Sequence, residues 1–599
     1  MRPCRPAPML PAINAGDRAM REREAGRGWF AQKRRALVSS ALASLGLTFL
    51  PGEGRAADPI VPAEVILRNA RVLTVNAAGD TAQAVAVAGN RILAVGADAA
   101  VMALANARTR VIDLRGATVI PGLRDSHLHT IGAARDIFNV ALEDARDLDA
   151  ILKALAARVA TTPPGEWVIA SSGWHEGQIA EGRMPTRGEL DRISPDHPVF
   201  IPRGGHVAVV NSAALRLAGI TRDTPDPRGG VIVRDGGEPT GFLIEGPAMN
   251  LVRRLLPLMS RERLTEGLAR FSTVLAGLGV TASTEPGATP EEIGAYMDLW
   301  RMGGMRHRVR IMQRATGLAD VRARSAVMAP NFGDDWLRVG GFKYLYDGGV
   351  EGAWTYDPYQ IVEGEQTDPA FRGKLLGPAG GDAEALEMFR LAASRGWQFQ
   401  VHMVGDATTD HVLDLWEKVA QDHPIADLRW AAMHVMLSRP ASLDRMKTLG
   451  IRVTVQDQSV RLANNMLRYW GPERAAWCTP TKAVLDRGIP AGAGTDAPVA
   501  HWNPYVALWW LVTRKVEIRG RVTEPLGPDM AVSRQQALRL YTMGSADVDF
   551  MDDRAGSIEP GKLADLVVLS DDYLTVPEDR IRDLRSTLTM VDGRILHEA

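Results

Sequence analysis

The stretch PGLRDSHLHT, Pro121 to Thr130, sets two histidines two residues apart, with an aspartate two residues before the first. On an extended strand alternate side chains share a face, so Asp125, His127 and His129 point one way and Leu128 the other. Two imidazoles at one strand end can ligate one metal ion, but the same residues can also be only a polar strand end. Residues of matching chemistry recur downstream in short apolar runs. Lys343 lies in GGFKYLYDGG, His402 in WQFQVHMVGD, His434 in LRWAAMHV and Asp496 in AGAGTDAPV. Neutral imidazole and carboxylate suit zinc or another divalent ion, and a catalytic site keeps one position open for water.

These residues act together only if their strand ends meet. The middle of the chain alternates short apolar strands, such as GVTAST, HRVRIMQ and IRVTVQ, with amphipathic stretches such as SRERLTEGLARFSTVLAGLG. That alternation predicts a parallel α/β fold, and the strand count predicts a TIM-type (β/α)8 barrel. A barrel gathers its strand C-termini on one face, which brings distant residues together. An insertion is expected over about 139–250, after the first barrel strand. Short alternating strands punctuated by Asn and Gly fill 58–118 and return in 546–599, which predicts one composite β-sandwich built from both chain ends, around a barrel of 119–545.

The chain has 599 residues and a formal net charge of −1, so it carries neither the basic excess of a nucleic-acid binder nor an acidic tail. The expected partner is a small-molecule substrate, and a homo-oligomer is compatible with the sequence. Two cysteines, Cys4 and Cys478, offer no disulfide once the leader is removed. Residues 1–57 read as that leader: Lys33-Arg34-Arg35, an apolar run to Leu50, then small residues to Ala57. The paired arginines resemble a twin-arginine signal, which predicts a periplasmic or secreted protein, and a cytoplasmic one if the segment is only a basic leader. The apolar run is too short and too weakly apolar for stable membrane insertion.

PGLRDSHLH, the strand-end lysine, the two later histidines and GTDAPV together resemble the amidohydrolase superfamily of metal-dependent hydrolases. GWHEGQIAEGRMPTRGELD, GGHVAVVNSAAL, FKYLYDGG, HMVGDAT and GSIEPGKLADLVVL bring the resemblance closer to the branch typified by N-substituted formamide deformylase, from about Val65 to the C-terminus. The resemblance implies that His127 and His129 bind the more buried ion. It implies that Lys343, carboxylated, bridges to a second ion held by His402 and His434, and that Asp496 touches metal and shuttles protons. If Lys343 is instead an unmodified ion-paired or snorkelling side chain, one ion is expected. After Asp347 this chain reads GGVEGAWTY where many relatives carry a Gly-Ser-rich turn, and it has Thr495 where serine is common.

Such a site predicts hydrolysis of an amide or related C–N bond, because a bound metal brings the pKa of water toward ~7 and polarises a carbonyl. Hydrolysis of an ester, lactone or carbamate is the alternative, and a non-catalytic regulatory protein on the same scaffold is the second. His206 meets substrate or the oxyanion, or is a structural histidine, and His175 reads as loop packing. Asp347 orients a ligand or serves the turn, and Asp406 has the same two readings. Trp174, Trp354 and Trp502 line an apolar pocket or are simply packed. Arg514 meets a substrate carboxylate or makes a surface ion pair. No Walker loop, His-Glu-x-x-His helix, Gly-x-Ser-x-Gly elbow or Cys-x-x-Cys pair is present.

Overall fold

The computed structural model of the chain describes residues 62–361 and 369–599. The expected leader over 1–57 lies outside the described residues. Eight strands run parallel in one sheet: β1 (Leu123–Asp125), β2 (Val280–Ala288), β3 (Arg308–Arg314), β4 (Leu337–Leu345), β5 (Gln398–Met403), β6 (Ala431–His434), β7 (Arg452–Gln456) and β8 (Ala491–Gly494). They pair in chain order, and backbone bonds from Ser126 to Ala493 (3.0 Å) and from Asp496 to His127 (2.8 Å) close the sheet into a TIM-type barrel.

Side-chain alternation sets what each strand offers. In β5, Phe399, Val401 and Met403 join Trp397, Phe389, Trp416 and Trp430 in the apolar layer between the barrel and its helices. Gln398, Gln400 and His402 occupy the alternate, inward positions. The same rule in β4 sends Phe342 and Tyr344 into that layer and leaves Lys343 facing inward. The helices carry local start signals. Thr289 and Glu292 form a capping box with Pro290 in the first turn, and the Ser260 side chain caps Arg261–Gly277.

The chain ends combine in the second region. Leu566–Leu569 pairs antiparallel with Thr118–Pro121, so one six-stranded sheet holds strands from both ends, beside a four-stranded sheet from the N-terminal part. Leu67, Val85, Val119, Leu566 and Met590 share one apolar cluster across them. Between β1 and β2 the chain builds a five-stranded sheet from Val168 to Ile244, with its own core around Trp174, Ile201 and Val207. Among the described residues no helix is long and apolar enough to cross a membrane.

Candidate metal centre

β1 ends at Asp125, so the two histidines lie in the segment that enters helix Thr130–Asp136. That segment bends at Ser126 and His127, and its neighbours grip it: Leu128 N–H donates to Thr284 O (3.0 Å) and His129 N–H to Ala497 O (2.8 Å). Asp125 ties both sides together. Its Oδ1 accepts from His127 N–H (3.0 Å), and its Oδ2 accepts from the Thr495 hydroxyl (2.7 Å) and N–H (3.0 Å). Gly494 makes the approach possible, since a Cβ there would sit 2.4 Å from Asp125 Oδ1. Leu128 points away into an apolar cluster with Phe271 and Leu275, as alternation requires.

His127, His434 and Asp496 offer ligand atoms that all lie within 4.8 Å of one another. Asp496 Oδ1 is 3.2 Å from His127 Nε2 and 3.3 Å from His129 Nε2. Gln458 Nε2 donates to Asp496 Oδ2 (2.7 Å), and His434 Nδ1 bonds Gln456 Oε1 (2.8 Å), which fixes the second carboxylate oxygen and the second imidazole. His434 (φ 72°), Asp496 (φ 57°) and Glu245 (φ 67°) are left-handed at non-glycine positions, so backbone strain collects around the site.

The protonation states suit a cation. Burial pushes the His127 imidazole down to about 3 and holds His402 and His434 well below the ordinary range. Burial opposes the Asp496 carboxylate, but His127 outweighs it and keeps that group well below the carboxylate range. Neutral ring nitrogens beside an ionised carboxylate are what a divalent metal takes. His127 is fully buried, yet neither ring nitrogen has a hydrogen bond, and Asp496 Oδ1 has none either. Buried polar atoms left unpaired are costly, so these residues fit a divalent ion.

The other expected residues divide. Lys343, His129, His206 and His402 line the same cavity of about 360 Å³ as the three-residue group. His402 turns its Nε2 toward Gly348 O (3.1 Å) and Asp347 Oδ1 (3.5 Å), outside that group, while its ring stands 4.6 Å from that of His434. Lys343 is buried, and its amine makes no hydrogen bond or ion pair among the described residues. Burial pushes that amine down to about 7. Asp347 is enclosed, does not line the cavity, accepts from Gly405 N–H (2.8 Å) and Val404 N–H (3.1 Å) in the turn after β5, and lies 3.5 Å from His402 Nε2, so both of its expected roles keep a contact.

Three expectations change. Trp174 does not line the cavity, because its ring fills the core of the insertion and its N–H donates to Pro202 O (2.9 Å). Arg514 is no surface residue: it is buried and donates to Cys478 O (2.6 Å) and Thr479 O (3.3 Å). His175 is not loop packing but part of a buried network, 3.1 Å from Glu176, which in turn pairs with Arg203 at 3.0 Å. Glu245, which the sequence reading passed over, ends the sequence run GFLIE and lies 2.8 Å from His206 Nδ1. Burial opposes a charged His206, but Glu245 outweighs it and raises the imidazole above its ordinary value.

A closed parallel barrel with histidines, an aspartate and a lysine gathered at the C-terminal strand ends is the architecture of a metal-dependent hydrolase. The sequence pattern of the Amidohydrolase family matches residues 110–597, and the chain belongs to that family. Protein LONG AFTER FAR-RED 3 of Arabidopsis thaliana is 30% identical over 530 residues, spanning 85% of this chain and 88% of its own length. N-substituted formamide deformylase of Arthrobacter pascens is 29% identical over 553 residues, spanning 89% of this chain and 98% of its own. The fold is shared with an uncharacterized metal-dependent hydrolase from Pyrococcus horikoshii OT3, at a TM-score of 0.66 and 24% identity, over 86% of this chain and 99% of that one.

Proposed function

We propose that the protein hydrolyses an amide or related C–N bond, with Asp496 as the proton shuttle and zinc as the resident ion. The observation that carries this is the group of His127, His434 and Asp496 at the C-terminal strand ends, with both His127 ring nitrogens and Asp496 Oδ1 left without hydrogen bonds, opening onto a cavity of small-molecule size. A divalent ion held there supplies a water that ionises near neutral pH and a Lewis acid for the substrate carbonyl. His127, His129 and His434 would hold it with Asp496.

The chain's own residues do the rest. Asp496 is kept ionised, so it can take a proton at its carboxylate and return it to the departing nitrogen. Gln458 holds the carboxylate oxygen that faces away from His127, leaving Oδ1 toward the cavity. His206, whose imidazole Glu245 raises above its ordinary value, lines the cavity and can donate to a developing oxyanion when protonated. The unpaired Lys343 amine, partly neutral near pH 7, can add carbon dioxide, forming an N–C bond and releasing one proton. The resulting carbamate would join His402 in holding a second ion. The similarity to a protein named for formamide deformylation supports the C–N reading.

The test is a screen of formamides, N-acyl amines, cyclic amides, carbamates, esters and lactones with metal-replete protein, alongside elemental analysis. Metal-dependent turnover of amides is expected. Turnover confined to esters or lactones would move the bond assignment, and absence of bound transition metal would remove the reading. Labelled bicarbonate and carbon-13 NMR test the carbamate: a carbamate resonance lost in Lys343→Gln is expected. Export, proposed from Arg34-Arg35 and the apolar run alone, fails if the intact leader is found on cytoplasmic protein.

A further inference from the structure

The charges around the metal cavity do not balance locally. Each lining carboxylate already has a partner. Glu245 meets His206 at 2.8 Å, Glu285 accepts from Ile131 N–H (2.9 Å) and the Tyr296 hydroxyl (3.0 Å), and Glu292 pairs with Arg135 at 2.7 Å. Asp496 belongs to the metal group. Two guanidinium groups on the same wall have no such partner. Among the described residues neither Arg253 nor Arg314 meets a carboxylate.

Neutral contacts hold both. Arg253 donates to Asn250 Oδ1 (3.3 Å) and Arg314 to Gly287 O (3.3 Å), which leaves further N–H donors of each fork unused. They come from different elements, Arg253 from the last turn of helix Glu245–Arg253 and Arg314 from the end of β3, and both reach one cavity. Desolvation in the cavity wall pushes the Arg253 guanidinium down to about 10, and the neighbouring Arg314 and Arg135 cations add to this. Two cations that line one cavity without a carboxylate partner attract an anion, and a guanidinium fork matches a carboxylate.

We propose that Arg253 and Arg314 form an anion subsite of the metal cavity, and that the substrate carries a carboxylate at the end remote from its scissile carbonyl. This rests on the hydrolase reading above and narrows it to negatively charged acyl compounds. Of the cavity's cations, Arg135 is already neutralised by Glu292, and Lys343 is enclosed beside the metal group, so neither competes for this role.

The test measures binding, apart from turnover. 4-Benzoylbutyrate carries a ketone in place of a scissile amide and cannot be hydrolysed, and its alcohol, with CH2OH for carboxylate, is the uncharged match. Calorimetry on metal-loaded full-length protein should show the anion binding ~10–100-fold more tightly than the alcohol, as charge-assisted hydrogen bonds of this kind provide. That ratio should fall toward one in the Arg253→Gln/Arg314→Gln double variant, and should shrink in wild-type protein as salt rises from low to molar concentration. Arg253→Lys, which keeps charge without the fork, should retain part of the ratio. Equal affinity for the two probes, no detectable binding of the anion, or an unchanged ratio in the double variant would overturn the proposal. An anion preference in a protein that hydrolyses nothing would leave the subsite standing and remove the catalytic reading. Turnover of neutral amides with no anion preference would do the reverse.

Discussion

His307 and His127 are both buried imidazoles of the barrel, and burial pushes each down to about 3. His307, just before β3, bonds Ser272 Oγ through Nδ1 (2.9 Å) and Ser283 Oγ through Nε2 (3.1 Å). His127, just after β1, has no hydrogen bond at either nitrogen. The same contrast separates two buried cations. Arg308, first residue of β3, donates to both oxygens of Asp565 (2.8 and 2.9 Å), to Asp592 (2.9 Å) and to Asp335 O (3.1 Å). Lys343, near the end of β4, has neither a hydrogen bond nor an ion pair among the described residues. His307 and Arg308, at the N-terminal end of the barrel, are completed by the protein itself. His127 and Lys343, at the C-terminal end, are left for something the protein binds. A buried group without a partner costs stability, so it marks where folding has been compromised for function.

The sharpest way to break this comparison is to remove a ligand at the open end. His127→Ala should abolish metal-dependent turnover and lower bound metal by elemental analysis, and Asp496→Asn should lower kcat by ~10²–10⁴-fold as general acid–base catalysis is lost. Retained turnover in either variant would undo the assignment. At the completed end, Arg308→Met strands Asp565 and Asp592. It should cost about 3–5 kcal/mol in denaturant unfolding while leaving bound metal unchanged. Chelation probes the open end without mutation. Removing metal should lower stability by about 3–4 kcal/mol, if the ion is normally present at 100 to 1,000 times its Kd, and re-addition should restore it.

The effect smallest at each step is a pH dependence. The folded-state pKa of His307 lies below the ~6.5 of an unfolded histidine, so the unfolded chain binds more protons between the two values. Stability from this group is therefore full above pH ~6.5 and is lost as pH falls toward its folded value, by about 1.4 kcal/mol per pH unit. His307→Gln should flatten that part of the curve, measured as the difference in unfolding free energy between the two proteins across this range. An unchanged slope would show that His307 is not the group responsible.

Much of the candidate site was legible in the sequence, for one reason. Strand periodicity dictates which residues share a face, and parallel strands bring their C-termini to one side of the barrel. Lys343, His402 and His434 lie in strands and follow from that rule, His127, His129 and Asp496 lie just beyond strand ends, and all six line one cavity. Trp174 and Arg514 show where it stops. An indole in an insertion and an arginine after a helix read the same whether they face substrate or a core. Only packing sends Trp174 into the insertion core and Arg514 onto backbone carbonyls. Glu245, Arg253 and Arg314 had no spacing signal at all, because they reach the cavity from separate elements across long stretches of chain.

By itself, then, the sequence determined the layered α/β architecture, the union of both chain ends in one sandwich and the donor types at the strand ends. These depend on local periodicity and on the chemistry of single side chains. Tertiary structure decided which donors converge within ligand distance, that Asp347 bonds the turn after β5 beside His402, that His402 turns one nitrogen outward, and which arginines stay uncompensated. Those outcomes depend on which carboxylate or carbonyl lies within three ångströms of each group, and residues distant in the chain settle that only when the barrel closes.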